Sequence, residues 1–163
     1  MLLFLHADSR LPEGAREAIE AALDDPAVVG GAFRIRYGGG GRLLRLGARL
    51  ANARAEMTRC PFGDHAIFAR RTVFEELGGF RDWPLLEDLD FARRLARRGR
   101  TVLLPAEVVT SARRFERLGV WRTVAINWLI LLLYFAGVSP SRLARLYGQG
   151  RGQGRERRPA AGA

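Results

Sequence analysis

The chain has 163 residues, 48% of them hydrophobic, enough for one domain with a real core and too apolar for general disorder. Its formal charge of +10 rests on 27 basic residues, all of them Arg. With Ala, Gly and Leu abundant this reads as a compositional bias, and arginines spread over several predicted helices do not point to nucleic acid. The single cysteine, Cys60, excludes an intrachain disulfide and fits a reducing, cytoplasmic setting; one Cys with two His makes no zinc site.

The opening stretch LLFLHADSR, Leu2–Arg10, surrounds His6 with apolar residues. A run this continuous predicts a strand buried on both faces. His6 and Asp8 would then project the same way at its C-terminal end, where open α/β sheets place ligands. Met1 enters the run without a basic n-region, so no signal peptide is expected. A helix follows, with Pro12 in its first turn, apolar residues at helical spacing from Leu11 to Leu23, and a stop at Asp24-Asp25-Pro26. Val28-Val29 begin a second strand in which Phe33, Ile35 and Tyr37 alternate with Arg34 and Arg36. Gly30-Gly31 leaves room there for another backbone or a ligand.

Gly38–Gly41 reads as a flexible connection, and no Gly-Lys-Ser/Thr follows it to make a P-loop. Arg42–Met57 predicts an amphipathic helix with Leu43, Leu46, Gly47, Leu50 and Met57 on one face. Cys60-Pro61-Phe62-Gly63 breaks the pattern, and Asp64-His65 leads into a short strand, Ala66–Ala69. A brief helix around Thr72–Leu77 ends at Gly78-Gly79. After a loop carrying Phe80 and Trp83 comes a helix, Glu87–Arg98, then two strands, Thr101–Leu104 and Val108–Ser111, parted at Pro105.

Val124–Val138 is fifteen residues with Asn127 its only strongly polar member. That is short of the roughly 20 residues a bilayer span needs. A helix apolar all round must be buried in protein or lipid, and Trp121, Trp128 and Tyr134 suit an interface. The expectation is a helix at or partly in a membrane, with a core or oligomer helix the close alternative. The tail, Gly148–Ala163, is expected to be disordered. The chain thus divides into a catalytic part (1–117), an apolar helical segment (118–147) and the tail (148–163). The order of elements argues for an α/β layer structure.

One local calculation singles out a carboxylate. Stepping 100° per residue along the Glu87–Arg98 helix, Leu89, Phe91, Ala92, Leu95 and Ala96 form an apolar arc, and Asp88 falls inside it. Glu87 and Asp90 fall among Arg93, Arg94, Arg97 and Arg98, where acids simply complement the helix dipole. A carboxylate turned inward costs several kcal/mol unless backbone N–H groups, a cation or a substrate hydroxyl receives it. A structural cap is the competing reading.

Three segments in order, Leu5-His6-Ala7-Asp8, Gly63-Asp64-His65 through Gly78-Gly79-Phe80, and Leu86-Glu87-Asp88 with its Arg93-Arg94-Leu95 helix, resemble family 2 glycosyltransferases with the A-type nucleotide-sugar fold. The subgroup most similar is the one named for arsenosugar biosynthesis, which shares a stretch like Thr110–Glu116 and an apolar C-terminal helix. The resemblance covers Leu2 to Tyr147. It implies a mixed, mostly parallel sheet flanked by helices, plus the apolar helix. It implies transfer of a sugar from a nucleotide sugar to an acceptor hydroxyl with inversion, Asp88 acting as general base and Glu87 as its neighbour.

Asp8 then matches the last acid of the family's Asp-x-Asp motif, which holds Mn²⁺ or Mg²⁺ on the diphosphate; His6 stands where the first acid would be. Hard cations take one or two carboxylates plus phosphates, so one Asp can suffice. Asp64 and His65 match Gly-Asp-Gln with His in place of Gln, and would line the sugar or acceptor pocket. Arg113 and Arg114 stand where arginines could clamp the diphosphate, although four other Arg-Arg pairs in the chain argue for a solvated pair. His6 reads equally as a core histidine bonded to a backbone carbonyl.

In that family a comparable strand follows a nucleotide-binding half of two or three strand–helix units, whereas here it follows Met1 directly. The resemblance therefore implies a truncated or split enzyme, impaired alone, whose partners are a missing N-terminal half or a second copy, at the inner face of a membrane as a peripheral or integral protein. A reading from another class is a non-enzymatic, Arg-rich membrane-associated or anion-binding module. The two differ in whether Asp8 and Asp88 face one cavity.

Overall fold

A computed structural model describes residues 1–39 and 41–147, save the side chain of Arg114; Gly40 and the predicted tail Gly148–Ala163 lie outside the described residues. Five strands make one mixed sheet: β1 (Leu2–Leu3), β2 (Ser9–Arg10), β3 (Val28–Tyr37), β4 (Phe68–Ala69) and β5 (Arg100–Thr110), in the order β1-β4-β3-β5-β2. Around it lie α1 (Ala15–Leu23), α2 (Arg42–Thr58), α3 (Arg71–Glu76), α4 (Glu87–Arg98), α5 (Arg113–Leu118), α6 (Val120–Phe135) and α7 (Pro140–Tyr147), with a 3₁₀ turn at Gly63–His65.

The expected mostly parallel sheet is corrected. Only β3 and β5 run parallel; β1–β4, β4–β3 and β5–β2 are antiparallel. The crossover that sets β5 parallel to β3 contains α2, β4, α3 and α4 together, and β4 runs back along β3 on the way.

The opening stretch departs further. Leu2–Leu3 pairs with β4 at one edge of the sheet and Ser9–Arg10 pairs with β5 at the other, so the run is no central strand. Leu5 to Asp8 are exposed, and the Ser9 N–H donates to the His6 carbonyl at 3.0 Å, closing a turn. What holds the stretch is Phe4, whose ring meets Phe74 at 4.9 Å and Phe80 at 4.7 Å, in an aromatic cluster completed by Phe91. The apolar run therefore reflects contacts with α3 and α4, not burial between two strands.

Alternation along β3 divides the core. Ala32 faces Ile67, Val73, Phe91 and Leu95 under α3 and α4, whereas Phe33 faces Ala15, Ile19, Phe68 and Val108 under α1. A third cluster joins Leu86 and Leu89 of the α4 end to Ile130, Leu131 and Leu143 of α6 and α7. Past its pairing with β4, β3 is sealed by α2: the Asn52 amide accepts from the Ile35 N–H at 2.8 Å and donates to the Ile35 carbonyl at 3.0 Å, taking the place of a neighbouring strand. The Arg70 guanidinium gathers the carbonyls of Leu23, Asp25 and Val28, fixing the α1–β3 corner.

The two strands expected around Pro105 are one. The parallel register jumps from Phe33↔Leu104 to Arg34↔Glu107, so Pro105, which has no N–H to give the ladder, sits in a bulge. The apolar helix is Val120–Phe135, four residues upstream of its expected start, and α7 follows. Among the described residues no helix is long and apolar enough to cross a membrane.

Gly30 and Gly31 admit neighbouring backbone. A Cβ on Gly31 would stand 2.2 Å from the Val102 carbonyl oxygen, and on Gly30 2.4 Å from that of Phe68. Gly31→Ala is expected to destabilise the fold by about 1–3 kcal/mol, because the Val102 backbone and the buried Phe68 ring must move. Urea unfolding of the two proteins measures this, and an unchanged midpoint would contradict the packing described.

Candidate active site

The N-terminus of α4 and the turn Gly63–His65 are joined by one side chain. Asp88 turns inward; its Oδ2 accepts the Gly63 N–H at 2.5 Å and its Oδ1 accepts the Leu89 N–H at 2.6 Å. Leu89 N–H is an orphan donor of the helix's first turn, so the carboxylate also caps α4. On either side of this junction the backbone is left-handed at non-glycine residues, Ala66 (φ 50°) and Leu86 (φ 64°). Such conformations cost free energy and concentrate where the surroundings over-determine the chain.

Asp88 opens onto a cavity of about 270 Å³ with His6, Asp64 and Glu87 in its polar lining. The apolar walls come from Phe62, Leu85 and Leu86, and from Ile130 and Leu131 of α6. Burial pushes the Asp88 carboxyl up to about 6, helped by the charges of Glu87 and Asp64 and opposed by the two N–H donors. A carboxyl held there is ionised at pH 7 and still basic enough to take a proton.

His65 is the core histidine that His6 was thought equally able to be. It is fully buried, and its Nδ1 lies 3.0 Å from the Phe33 carbonyl. Burial holds its pKa below the usual value, so the ring is neutral. Nδ1 must carry the proton, since a carbonyl only accepts, and Nε2 is left as an acceptor. That Nε2 is buried without a partner, 4.0 Å from Asp64 Oδ1, which is likewise buried and unpartnered. A third orphan is Nη2 of Arg54, whose guanidinium lies 3.9 Å over the Phe62 ring while Nη1 donates to the Cys60 carbonyl. Of the three residues, Asp64 lines the Asp88 cavity, Asp64 and Arg54 line a second cavity between α2 and α6, and His65 is buried behind them.

Nothing in the pattern of α2 marks Arg54; only its stacking on Phe62, which precedes the Gly63 turn, brings it here. Asp90 is also corrected: it is buried, with Arg94 Nε at 2.7 Å and Arg81 at 3.4 Å. Arg94 at the same time donates to the carbonyls of Leu77 and Gly79, so this pair locks α4 onto the end of α3.

The structure brings His6, Asp64, Glu87 and Asp88 together and leaves Asp8 apart. Because residues 4–8 form no strand, His6 and Asp8 do not share a face: His6 Nε2 reaches Gly63, while Asp8 is exposed and pairs with Arg113 at 3.5 Å. The side chain of Arg114 lies outside the described residues. Among the described residues no three His, Cys, Asp or Glu side chains gather as a metal cage requires. No family model matches the chain, and neither the curated proteins nor the solved structures contain a match.

The raised Asp88 carboxyl has a consequence for stability. A folded-state value above the unfolded one favours the native state while the group is protonated, and that advantage is lost as pH rises from about 4 through about 6. Screening through the open cavity limits the loss to about 1–3 kcal/mol. Asp88→Asn should lack this fall in unfolding free energy between pH 4 and 7; parallel curves for the two proteins would contradict the burial of the charge.

Proposed function

We propose that the chain carries the acceptor-side machinery of a glycosyltransferase that moves a sugar from a nucleotide sugar to a hydroxyl with inversion. The observation that carries this reading is Asp88, a buried carboxylate with its pKa raised to about 6 at the wall of a cavity that it shares with His6, Asp64 and Glu87. Asp88 would take the proton of the acceptor hydroxyl as its oxygen attacks the anomeric carbon. The bond from that carbon to the diphosphate breaks, and its electron pair leaves with the diphosphate. Glu87 would keep the Asp88 carboxyl basic by its charge. Asp64 would receive a hydroxyl group and help orient the sugar ring, with His65 and Arg54 packed behind it.

A divalent cation, Mg²⁺ or Mn²⁺, would rest on Asp8 as its one carboxylate, with diphosphate oxygens completing its shell. It would offset the charge that collects on the departing diphosphate. Arg113, next to Asp8, would hold the same phosphates. The position of Asp8 outside the Asp88 cavity is the observation that favours the second reading, an anion-binding module without chemistry, in which Arg113 and its neighbours hold the anion alone.

Sugar transfer from nucleotide-sugar donors to hydroxyl acceptors, followed by release of nucleoside diphosphate, separates the two. Asp88→Asn is expected to lower transfer at least about 100-fold with the fold retained, and to remove an acid limb with a midpoint near 6. Unchanged turnover would refute the base. Nucleoside diphosphate binding should strengthen with Mn²⁺ and weaken in Asp8→Ala; binding indifferent to both would refute the place given to the metal.

A further inference from the structure

Two helices wear their large apolar side chains on the outside. On α2, Leu43, Leu46, Leu50 and Met57 fall within one arc of about 60°, and all four are exposed, Met57 to 84%. The residues α2 buries are Ala48 and Ala55. On α6, Trp121, Trp128, Leu129, Leu132 and Phe135 are exposed, Trp121 to 70% and Leu132 to 64%. The two stripes meet where Leu50 and Trp128 line one shallow cavity between the helices. Exposed apolar surface on this scale marks an interaction site.

Charge follows the same division. The segments 42–58 and 113–147 hold ten arginines and two glutamates, while the rest of residues 1–147 holds thirteen arginines and fourteen acids. Nearly all the positive excess of the described chain thus lies on α2 and α5–α7. Arg42 and Arg49 border the apolar stripe of α2, Arg122 borders that of α6, and all three are exposed. No acid occurs in α6 or α7.

We propose that this joint face of α2 and α6 seats the protein on an anionic lipid surface, with both helices lying in the headgroup plane. Apolar side chains would enter the acyl boundary, the two tryptophans would sit at headgroup depth, and the bordering arginines would meet lipid phosphates. A second copy is the poorer occupant, because it would set one arginine-rich face against another. Helix α6 also supplies Asn127, Ile130 and Leu131 to the cavity of Asp88, and Asn127 and Leu131 line the Leu50–Trp128 cavity as well, so the bilayer would lie beside the Asp88 cavity. The proposal does not depend on the chemistry assigned to Asp88.

Flotation of the full chain with vesicles of phosphatidylcholine alone, and with about 30% phosphatidylglycerol added, tests it. Partition is expected to be at least about tenfold stronger on the anionic vesicles and to fall with salt. Met57→Glu with Leu132→Glu should lower it at least about tenfold while circular dichroism and the melting curve stay as in the native chain. Arg42→Ser with Arg49→Ser should abolish most of the anionic preference. Failure of the native chain to float with anionic vesicles at low salt would overturn the proposal, as would flotation that the glutamate pair leaves unchanged. A dimer in solution that Leu132→Glu dissociates, without flotation of the native chain, would assign the face to a second copy and overturn it too.

Discussion

The hydrogen bond from the Gly63 N–H to Asp88 is the contact on which the cavity depends. It ties the start of α4 to the turn Gly63–His65, which His65 fastens to β3 through the Phe33 carbonyl, and the backbone on both sides of the junction is strained. A Cβ at Gly63 would lie 3.1 Å from both Asp88 Oδ2 and His6 Nε2, so either side chain would have to give by a few tenths of an ångström. One glycine therefore lets the carboxylate, the imidazole and the turn converge. Two charge-assisted hydrogen bonds stabilise the anion by about 1.5–3 kcal/mol each. Desolvation of a carboxylate costs several kcal/mol. The upward pKa shift shows that burial wins, leaving a group tied in place and still willing to accept a proton.

Arg94 does for the outside of α4 what Asp88 does for its start. By pairing with Asp90 and with two carbonyls at the end of α3, it fixes the rotation of α4 about its axis. A helix rotated by one residue would carry Asp88 about 100° away from the cavity. The aromatic cluster of Phe4, Phe74, Phe80 and Phe91 holds the same helix from below and brings the opening segment with it. His6 reaches the cavity because Phe4, two residues earlier, is anchored there. The polar residues are thus placed by apolar and ionic contacts that take no part in the chemistry proposed for them.

How much of this was legible follows from the range of the interaction. Asp88 facing inward, the bounds of α4 and the close approach at Gly30-Gly31 are properties of a single element and its period, and they stand in the sequence. The split of Leu2–Arg10 between opposite sheet edges is not local, because apolar side chains read alike whether they meet a second strand or the rings of Phe74 and Phe91. The helical angle of Asp90 places it among arginines but does not show that Arg81, from the preceding loop, joins Arg94 in covering it. Arg54 comes beside Asp64 through Phe62, a contact between separate elements. The metal ligands, the donor and the membrane are matters of resemblance or composition, which no single angle resolves.

The helix α2 shows the same limit from the other direction. Its apolar stripe predicts a buried face, and the structure instead buries the alanines opposite it. Burying a leucine gains about 1.5–3 kcal/mol over leaving it in water, so folding alone would select the reverse orientation if α2 were free to turn. Two contacts prevent that. Asn52 is committed to the edge of β3, and Arg54 is pinned over Phe62. Asn52 lies on the side away from the leucine stripe and Arg54 at its Leu43 edge; together they hold the stripe outward, where it joins the equally apolar outer side of α6. The orientation is thus set by hydrogen bonding at an open strand edge and stacking beside the cavity. It leaves the leucines' burial energy unspent within the fold and available for association.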